Sequence, residues 1–512
     1  MAEGGVRREE LESAWNPSTW DQCDTSDTPD EDNESFSLSQ KMAGCHVNVT
    51  DKWITIYSRT PLIPIESLST SIDVCMTLLG YSDKIRRARI EACKQHDCCM
   101  TAARKGVLTC LTTGSKADGL TCSFESDRDE MRILDGVVCV EEGVDSKSIP
   151  KETTVLRLNN RMSYPGHGVL LLDKNVQTIH PFLKKSLDYL PSGNAILSSD
   201  LFVKAYPKGK PEGAVRHDRA GPSMPMTCRG VVHIDTVYTI RCICPSILNK
   251  WAERSRIWPP PDVVQKVKSL GAFMSPVGFK GSRHKQIEWR ICFNEGETEL
   301  VSNLNETQAK IYVMLKMIVK DVLQPCNKEI TSYALKNIVL WLAERNPQHS
   351  FHDRTLWDWL RKSLYILRMA IDGRQLPYYM IPDRNLMEAC GLEDAQQTAW
   401  VNMITEMIKE GPRMILRLKK MRTILRSNLD TVFWFYNMRT ELEILNLELT
   451  SRHERGAASQ EDNEKTAEQM KRVNEILVEV RERSLVNGNR VDDRREIFDL
   501  VLGDMANVKL FV

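Results

Sequence analysis

The chain has 512 residues, more than one ordinary hydrophobic core accommodates, so two lobes with tails are expected. Its formal net charge is zero, yet Asp27, Asp30, Glu31, Asp32 and Glu34 make the opening stretch acidic and leave the remainder net basic, able to attract a polyanion. Its 15 cysteines lack a secretory spacing, no apolar run approaches the ~20 residues of a membrane helix, and no leader-like opening is seen; these features argue against secreted and membrane classes and imply a reducing, cytoplasmic setting.

Residues 1–44 are acidic, serine-rich and aperiodic, and read as disordered. Over residues 65–103, Val74, Leu78, Tyr81, Ile85, Ala88 and Ala92 recur at helical spacing and predict one long amphipathic helix. Lys84, Arg87 and Lys94 form a basic stripe on its other side, which fits a solvated face and a polyanion-binding face equally. Cys93, His96, Cys98 and Cys99 lie on the same helix. Adjacent cysteines diverge on a helix and no distant ligand pair accompanies them, so free thiols are expected rather than a zinc site.

Residues 107–113 predict a strand, Gly114-Ser115 a tight turn, and Asp127 and Asp129, at i and i+2, share one strand face. Mg²⁺ prefers hard oxygen ligands and takes one or two protein carboxylates plus the phosphates of its substrate. A strand carrying Asp-x-Asp behind a Gly-Ser turn therefore suits nucleotidyl transfer, although Asp-Arg-Asp alone would read as a solvated loop. Asp235 adds weight, because it interrupts the strand-like run 231–243, where a lone carboxylate costs stability. It could join Asp127 and Asp129 across a sheet.

Residues 133–140, 153–158, 169–172 and 288–293 predict further strands, 208–225 a surface loop, and 251–261 an aromatic bend that locks two lobes together. Beyond Thr307 the pattern turns helical, first at Ile311, Leu315, Ile318 and Leu323, then at Leu335, Val339 and Leu342 with Ser332 as N-cap. Met414, Leu418, Met421 and Leu425 predict a helix whose polar side bears Arg413, Arg417 and Lys420, a second candidate polyanion surface. Leu442, Leu445 and Leu449, then Met470, Val473, Leu477 and Val480, keep a coiled-coil-like period, which leaves both homo-oligomerisation and intramolecular docking open.

The ordered set of Gly114-Ser115, Asp127-x-Asp129 and Asp235, with the blocks 217–222, 251–259, 275–278, 288–293 and 332–336, resembles the Mab-twenty-one (male-abnormal) nucleotidyltransferase family over about residues 45 to 430. It is most similar to the cyclic GMP-AMP synthase-like receptors of that family. The resemblance implies an α+β, bilobal fold: a catalytic lobe with a mixed β-sheet and a long spine helix (45–293), a helical lobe (294–430) and a helical tail (431–512). It implies that Asp127, Asp129 and Asp235 are catalytic and hold Mg²⁺ or Mn²⁺. Gly114, Ser115, Lys316 and Ser332 would hold phosphate, Arg290 and Tyr333 would lie against a nucleobase, and Lys84, Arg87, Lys94, Arg417 and Lys420 would meet nucleic acid. The implied function is a pattern-recognition enzyme of STING-type innate immune signalling that makes a cyclic dinucleotide from ATP and GTP. No Cys or His occurs between Asn294 and Lys320, where the DNA-sensing mammalian synthase carries a zinc thumb, so double-stranded RNA is expected as activator over DNA. A catalytically silent scaffold or developmental interaction protein is the alternative; an enzyme extending RNA ends is a third.

Overall fold

The computed structural model describes residues 65–502 except 105, 123–124, 162, 175–177, 191–192, 208, 210–211, 220, 229, 231, 324–328, 389, 456–459, 487–496 and 498–500. The expected disordered segment 1–44 lies outside the described residues.

Two helices, α1 (Ile65–Leu78) and α2 (Asp83–Ala103), stand where the pattern predicts one. The break falls at Gly80, whose φ of 85° an L side chain rarely adopts. There the N–H groups of Leu79, Gly80 and Tyr81 turn back onto the carbonyls of Cys75, Thr77 and Met76, closing the end of α1. Next come β1 (Leu108–Thr113), the short α3 (Gly114–Ala117) and β2 (Arg128–Glu141). They are followed by β3 (Thr154–Asn159), β4 (His167–Leu172), β5 (Leu187–Tyr189), β6 (Ala195–Leu197), α4 (Ser199–Lys204), β7 (Ala214–Arg216), β8 (Met224–Cys228) and β9 (Val232–Ile243). The strand-rich part closes with α5 (Pro245–Ala252), α6 (Pro261–Leu270), β10 (Ala272–Ser275) and β11 (Glu288–Cys292).

These strands form one mixed sheet in the order β1-β2-β3-β4-β11-β10-β9-β8-β7, with β5 and β6 attached at β4. A further pairing of β2 with β9 brings two distant segments side by side. The expected loop 208–225 instead contains β7 and the start of β8: the ladder to β9, from Met224 opposite Thr236 to Cys228 opposite Val232, recruits a Pro- and Gly-rich stretch that has little strand propensity of its own.

The rest is helical: α7 (Asn294–Ser302), α8 (Glu306–Ile318), α9 (Ser332–Arg345), α10 (Leu356–Asp372), α11 (Asp394–Glu410), α12 (Lys419–Arg426), α13 (Leu429–Arg455) and α14 (Gln460–Val486). α8 and α9 are buried around most of their circumference, as central helices of a lobe must be. Ser332 is the first helical residue of α9 rather than its cap, which is Thr331. The predicted helix through Met414 and Leu425 is two pieces, a 3-10 segment (Gly411–Arg417) and α12, divided at the extended Leu418. The aromatic bend does lock elements together: Trp251 and Trp258 are buried, and Arg254 donates to Glu344 at 2.7 Å and to the Tyr379 carbonyl at 2.6 Å. The tail docks within the molecule, with α13 packed on α2 and α14 on α13.

Candidate active site

β2 and β9 run parallel, and their register sets Asp129 directly opposite Asp235. Register partners share a sheet face, so the two carboxylates stand side by side although 106 positions separate them. Asp129 also opposes Thr113, the last residue of β1, which delivers the Gly114-Ser115 turn to the same place. At Gly114 φ is 68°, and a Cβ built there would sit 2.5 Å from Asp129 Oδ2. Only glycine lets the backbone approach that carboxylate so closely.

Alternation along β9 puts Val237 and Thr239 on the face of Asp235. Met274 opposes both Ile240 and Ile291, so Ser275 and its partner Arg290 fall on the side of Thr239 and Asp235. Arg290 therefore lies on the same sheet face as the acidic pair. Met131 and Ile133 continue the face of Asp129 and pack with Phe273, so the carboxylates emerge where the apolar core ends.

The helical lobe supplies the opposite wall. Lys316 of α8 donates to Ser115 Oγ at 3.0 Å and to the Leu120 carbonyl at 3.4 Å. Burial lowers its ammonium to about 8, with Asp118 and Glu125 opposing the shift. Lys336 pairs with the buried Asp118 at 2.8 Å; burial works against its charge, but Asp118, Tyr312 and Glu297 hold it above its ordinary range. Tyr333 and Tyr378 both donate to Glu297 Oε1, at 2.9 and 2.6 Å, which fixes the Tyr333 ring, and burial raises the Glu297 carboxyl. Ser332 is exposed, and its carbonyl accepts from Tyr312 at 3.2 Å.

Asp127 behaves differently. It precedes β2, is exposed, and lines a cavity of about 470 Å³ beneath α13 together with His96, Arg128, His233, Ser451 and Glu454. Neither Asp129 nor Asp235 lines that cavity. Among the described residues no group of three or more His, Cys, Asp or Glu is gathered closely enough to hold a metal ion. Register brings Asp129 and Asp235 together, while Asp127 stands exposed one residue ahead of β2 on the edge of that cavity. Two adjacent carboxylates still fit a divalent ion that completes its shell with substrate phosphates. Cys93, Cys98 and Cys99 form no disulfide, and His96 contacts Glu454 at 2.5 Å and Arg128 at 2.5 Å.

The predicted nucleic-acid residues separate. Lys84, Arg87 and Lys94 are exposed on α2, with Arg87 paired to Asp83 at 2.6 Å. Arg417 forks onto Glu410. Lys420 does not reach the surface: its side chain is 13% exposed and its ammonium binds Glu125. Glu125, Asp118, Lys336 and Glu297 received no role from the sequence. Each is a charged residue whose burial only the tertiary structure reveals, and spacing carries no signal for them.

A Gly-Ser turn, in-register carboxylates and a lysine from a helical lobe define a nucleotidyltransferase-type domain. Residues 203–303 match the Mab-21 protein nucleotidyltransferase domain and residues 307–406 the Mab-21 protein HhH/H2TH-like domain, so this chain carries the Mab-21 pair of domains. The first match includes Asp235 and Arg290 and the second Lys316, Ser332 and Tyr333; both leave out Gly114 to Asp129. The chain is similar to a cyclic GMP-AMP synthase-like receptor of Ctenocephalides felis, 25% identical over 188 residues, covering 35% of this chain and 41% of that one. It is also similar to a protein mab-21-like of Drosophila melanogaster, 23% identical over 184 residues, covering 34% and 50%. Each match spans half or less of the relative's length. Among the described residues, no helix is long and apolar enough to cross a membrane.

Proposed function

We propose that the chain is a metal-dependent nucleotidyltransferase which, on binding a polyanion such as double-stranded RNA, joins ATP and GTP into a cyclic dinucleotide with release of pyrophosphate. The observation that carries this reading is the register of Asp129 with Asp235 beside the Gly114 turn. Asp129 and Asp235 would hold Mg²⁺ or Mn²⁺, with Asp127 drawn in from its cavity; a bound ion supplies Lewis-acid polarisation of a phosphate and lowers the pKa of a hydroxyl. Asp235 would accept the proton of the attacking ribose hydroxyl. Ser115 and Lys316, already bonded to one another, present a hydroxyl and an ammonium to the outer phosphates. Tyr333, braced by Glu297, and Arg290 offer planar surfaces to a base.

Lys84, Arg87 and Lys94 of α2 would meet the polyanion, with Arg417 a separate candidate contact; the pairing of Lys420 with Glu125 argues against a role for Lys420 there. The similarity to a cyclic GMP-AMP synthase-like receptor supports the choice of product and a role in innate immune signalling. Incubation with ATP, GTP and Mg²⁺ or Mn²⁺, with and without long duplex RNA or DNA, followed by mass spectrometry, tests it. Linear RNA-end extension would give larger products. A second reading, a silent Mab-21 scaffold, is supported by the similarity to a protein mab-21-like. It predicts no product under any of these conditions.

A further inference from the structure

We infer that Glu125 is a positioning residue for Asp127, through which α12 and α13 become part of the scaffold of the carboxylate site; the inference rests on the reading above. Between the end of α3 at Ala117 and the start of β2 at Arg128 none of the described residues joins a ladder, and Asp127 occupies the last position before β2. Such a segment needs anchors from elsewhere if its terminal side chain is to be held in one place.

The anchors come from α2, from Tyr81 ahead of it, and from α12 and α13. Cys122 is buried, and its Sγ accepts from Arg89 Nη2 at 3.2 Å and from Arg439 Nη2 at 2.9 Å. The Cys122 N–H donates to Glu125 Oε2 at 3.3 Å. Glu125 Oε1 takes the Lys420 ammonium, Oε2 takes the Tyr81 hydroxyl at 3.2 Å, and the Arg439 guanidinium lies 3.8 Å away. Lys420 belongs to α12 and Arg439 to α13. Glu443, one turn further along α13, receives Arg89 of α2 in a two-pronged contact at 2.7 and 2.8 Å.

A carboxylate that is 9% exposed and held at once by Lys420, Tyr81 and the Cys122 N–H gives up all of these contacts if it moves. Glu125 therefore fixes the backbone two residues ahead of Asp127, and the helices that hold Glu125 set where Asp127 begins. Supporting partners of this kind commonly change metal affinity about 10–100-fold when removed.

The test uses the full chain and Mn²⁺, whose binding is read by electron paramagnetic resonance with a non-hydrolysable triphosphate present, alongside product formation. Glu125→Gln and Lys420→Met should weaken Mn²⁺ binding by about ten-fold or more, and Lys420→Arg, which keeps the cation, should weaken it less. Should those variants fold poorly, Tyr81→Phe removes one hydrogen bond and no charge, and should shift the Mn²⁺ affinity in the same direction by less. Unchanged Mn²⁺ affinity in the folded fraction of these variants, with only stability or maximal rate reduced, overturns the inference. Asp129→Asn separates the two levels. Loss of Mn²⁺ binding there, with none in the Glu125 variants, leaves the enzyme reading standing and removes the positioning role. A wild-type protein that binds no Mn²⁺ removes both.

Discussion

Lys316 allows the phosphate-holding role to be tested through pH. Its ammonium bonds Ser115 and is lowered to about 8 by burial, with Lys336 and Lys420 adding to the effect and Asp118 and Glu125 opposing it. A triphosphate seated against it would raise that value again. Above pH 8 the free lysine has lost its proton while the bound one keeps it, so binding takes up a proton there. Affinity is then full below about 8 and falls by up to about ten-fold, or about 1.4 kcal/mol, for each pH unit above it until the bound-state value is passed. The nucleotide contributes little to that slope, since phosphoryl groups finish ionising at a pKa of about 6. Equilibrium binding of a non-hydrolysable ATP analogue across the alkaline range reads the profile directly. Lys316→Arg stays charged throughout and should flatten it; Lys316→Met should bind weakly at neutral pH and show no slope. A wild-type profile without a fall above 8, or an arginine variant that falls in step with it, refutes the assignment. Folding responds in the other direction: the unfolded lysine holds its proton up to the ordinary lysine value of 10.5 while the native one releases it from about 8, so stability rises across that window.

Asp129→Asn and Asp235→Asn should each abolish product while leaving polyanion binding and Tm intact, because removing one of two side-by-side negative charges relieves repulsion rather than packing; product chromatography and a filter-binding assay check both. Gly114→Ala should cost about 1–2 kcal/mol in urea unfolding and lose activity, since its methyl group would meet Asp129 Oδ2. Arg89→Met should cost about 3 kcal/mol by removing the two-pronged partner of the buried Glu443, which still has the Arg439 guanidinium near it, and the double variant Arg89→Met/Glu443→Leu should regain part of it in the same unfolding assay.

The mixed fold and the helical lobe are legible in the sequence because period-two and helical patterns are local. β9 announces itself from residue 231 onward, and the thin Gly114-Ser115 turn is visible by composition alone. The register that seats Asp129 against Asp235 is not legible, because it is decided by pairing between segments far apart in sequence. The same limit hid β7 and β8, whose ladder depends on β9. Charge was the least readable property. Arg89 and Lys420 look like their solvated neighbours Lys84 and Arg87, yet Glu443 and Glu125 draw them inside. The i, i+2 spacing of Asp127 and Asp129 is visible in the sequence, but that Asp127 sits at the very mouth of β2, which begins at Arg128, is not. The helix break at Gly80 was missed because the apolar period runs on across it.

The contact between Arg89 and Glu443 spans 354 positions, and its burial at both ends makes it a late event in the life of the chain. A ribosome must finish α13 before α2 can cover its arginine. Until then the nascent α2 holds its arginine without Glu443 in a place made for a buried pair, and the turn at Cys122 lacks the donor that Arg439 supplies. The order of synthesis therefore leaves the amino-terminal lobe unfinished until its last helices emerge.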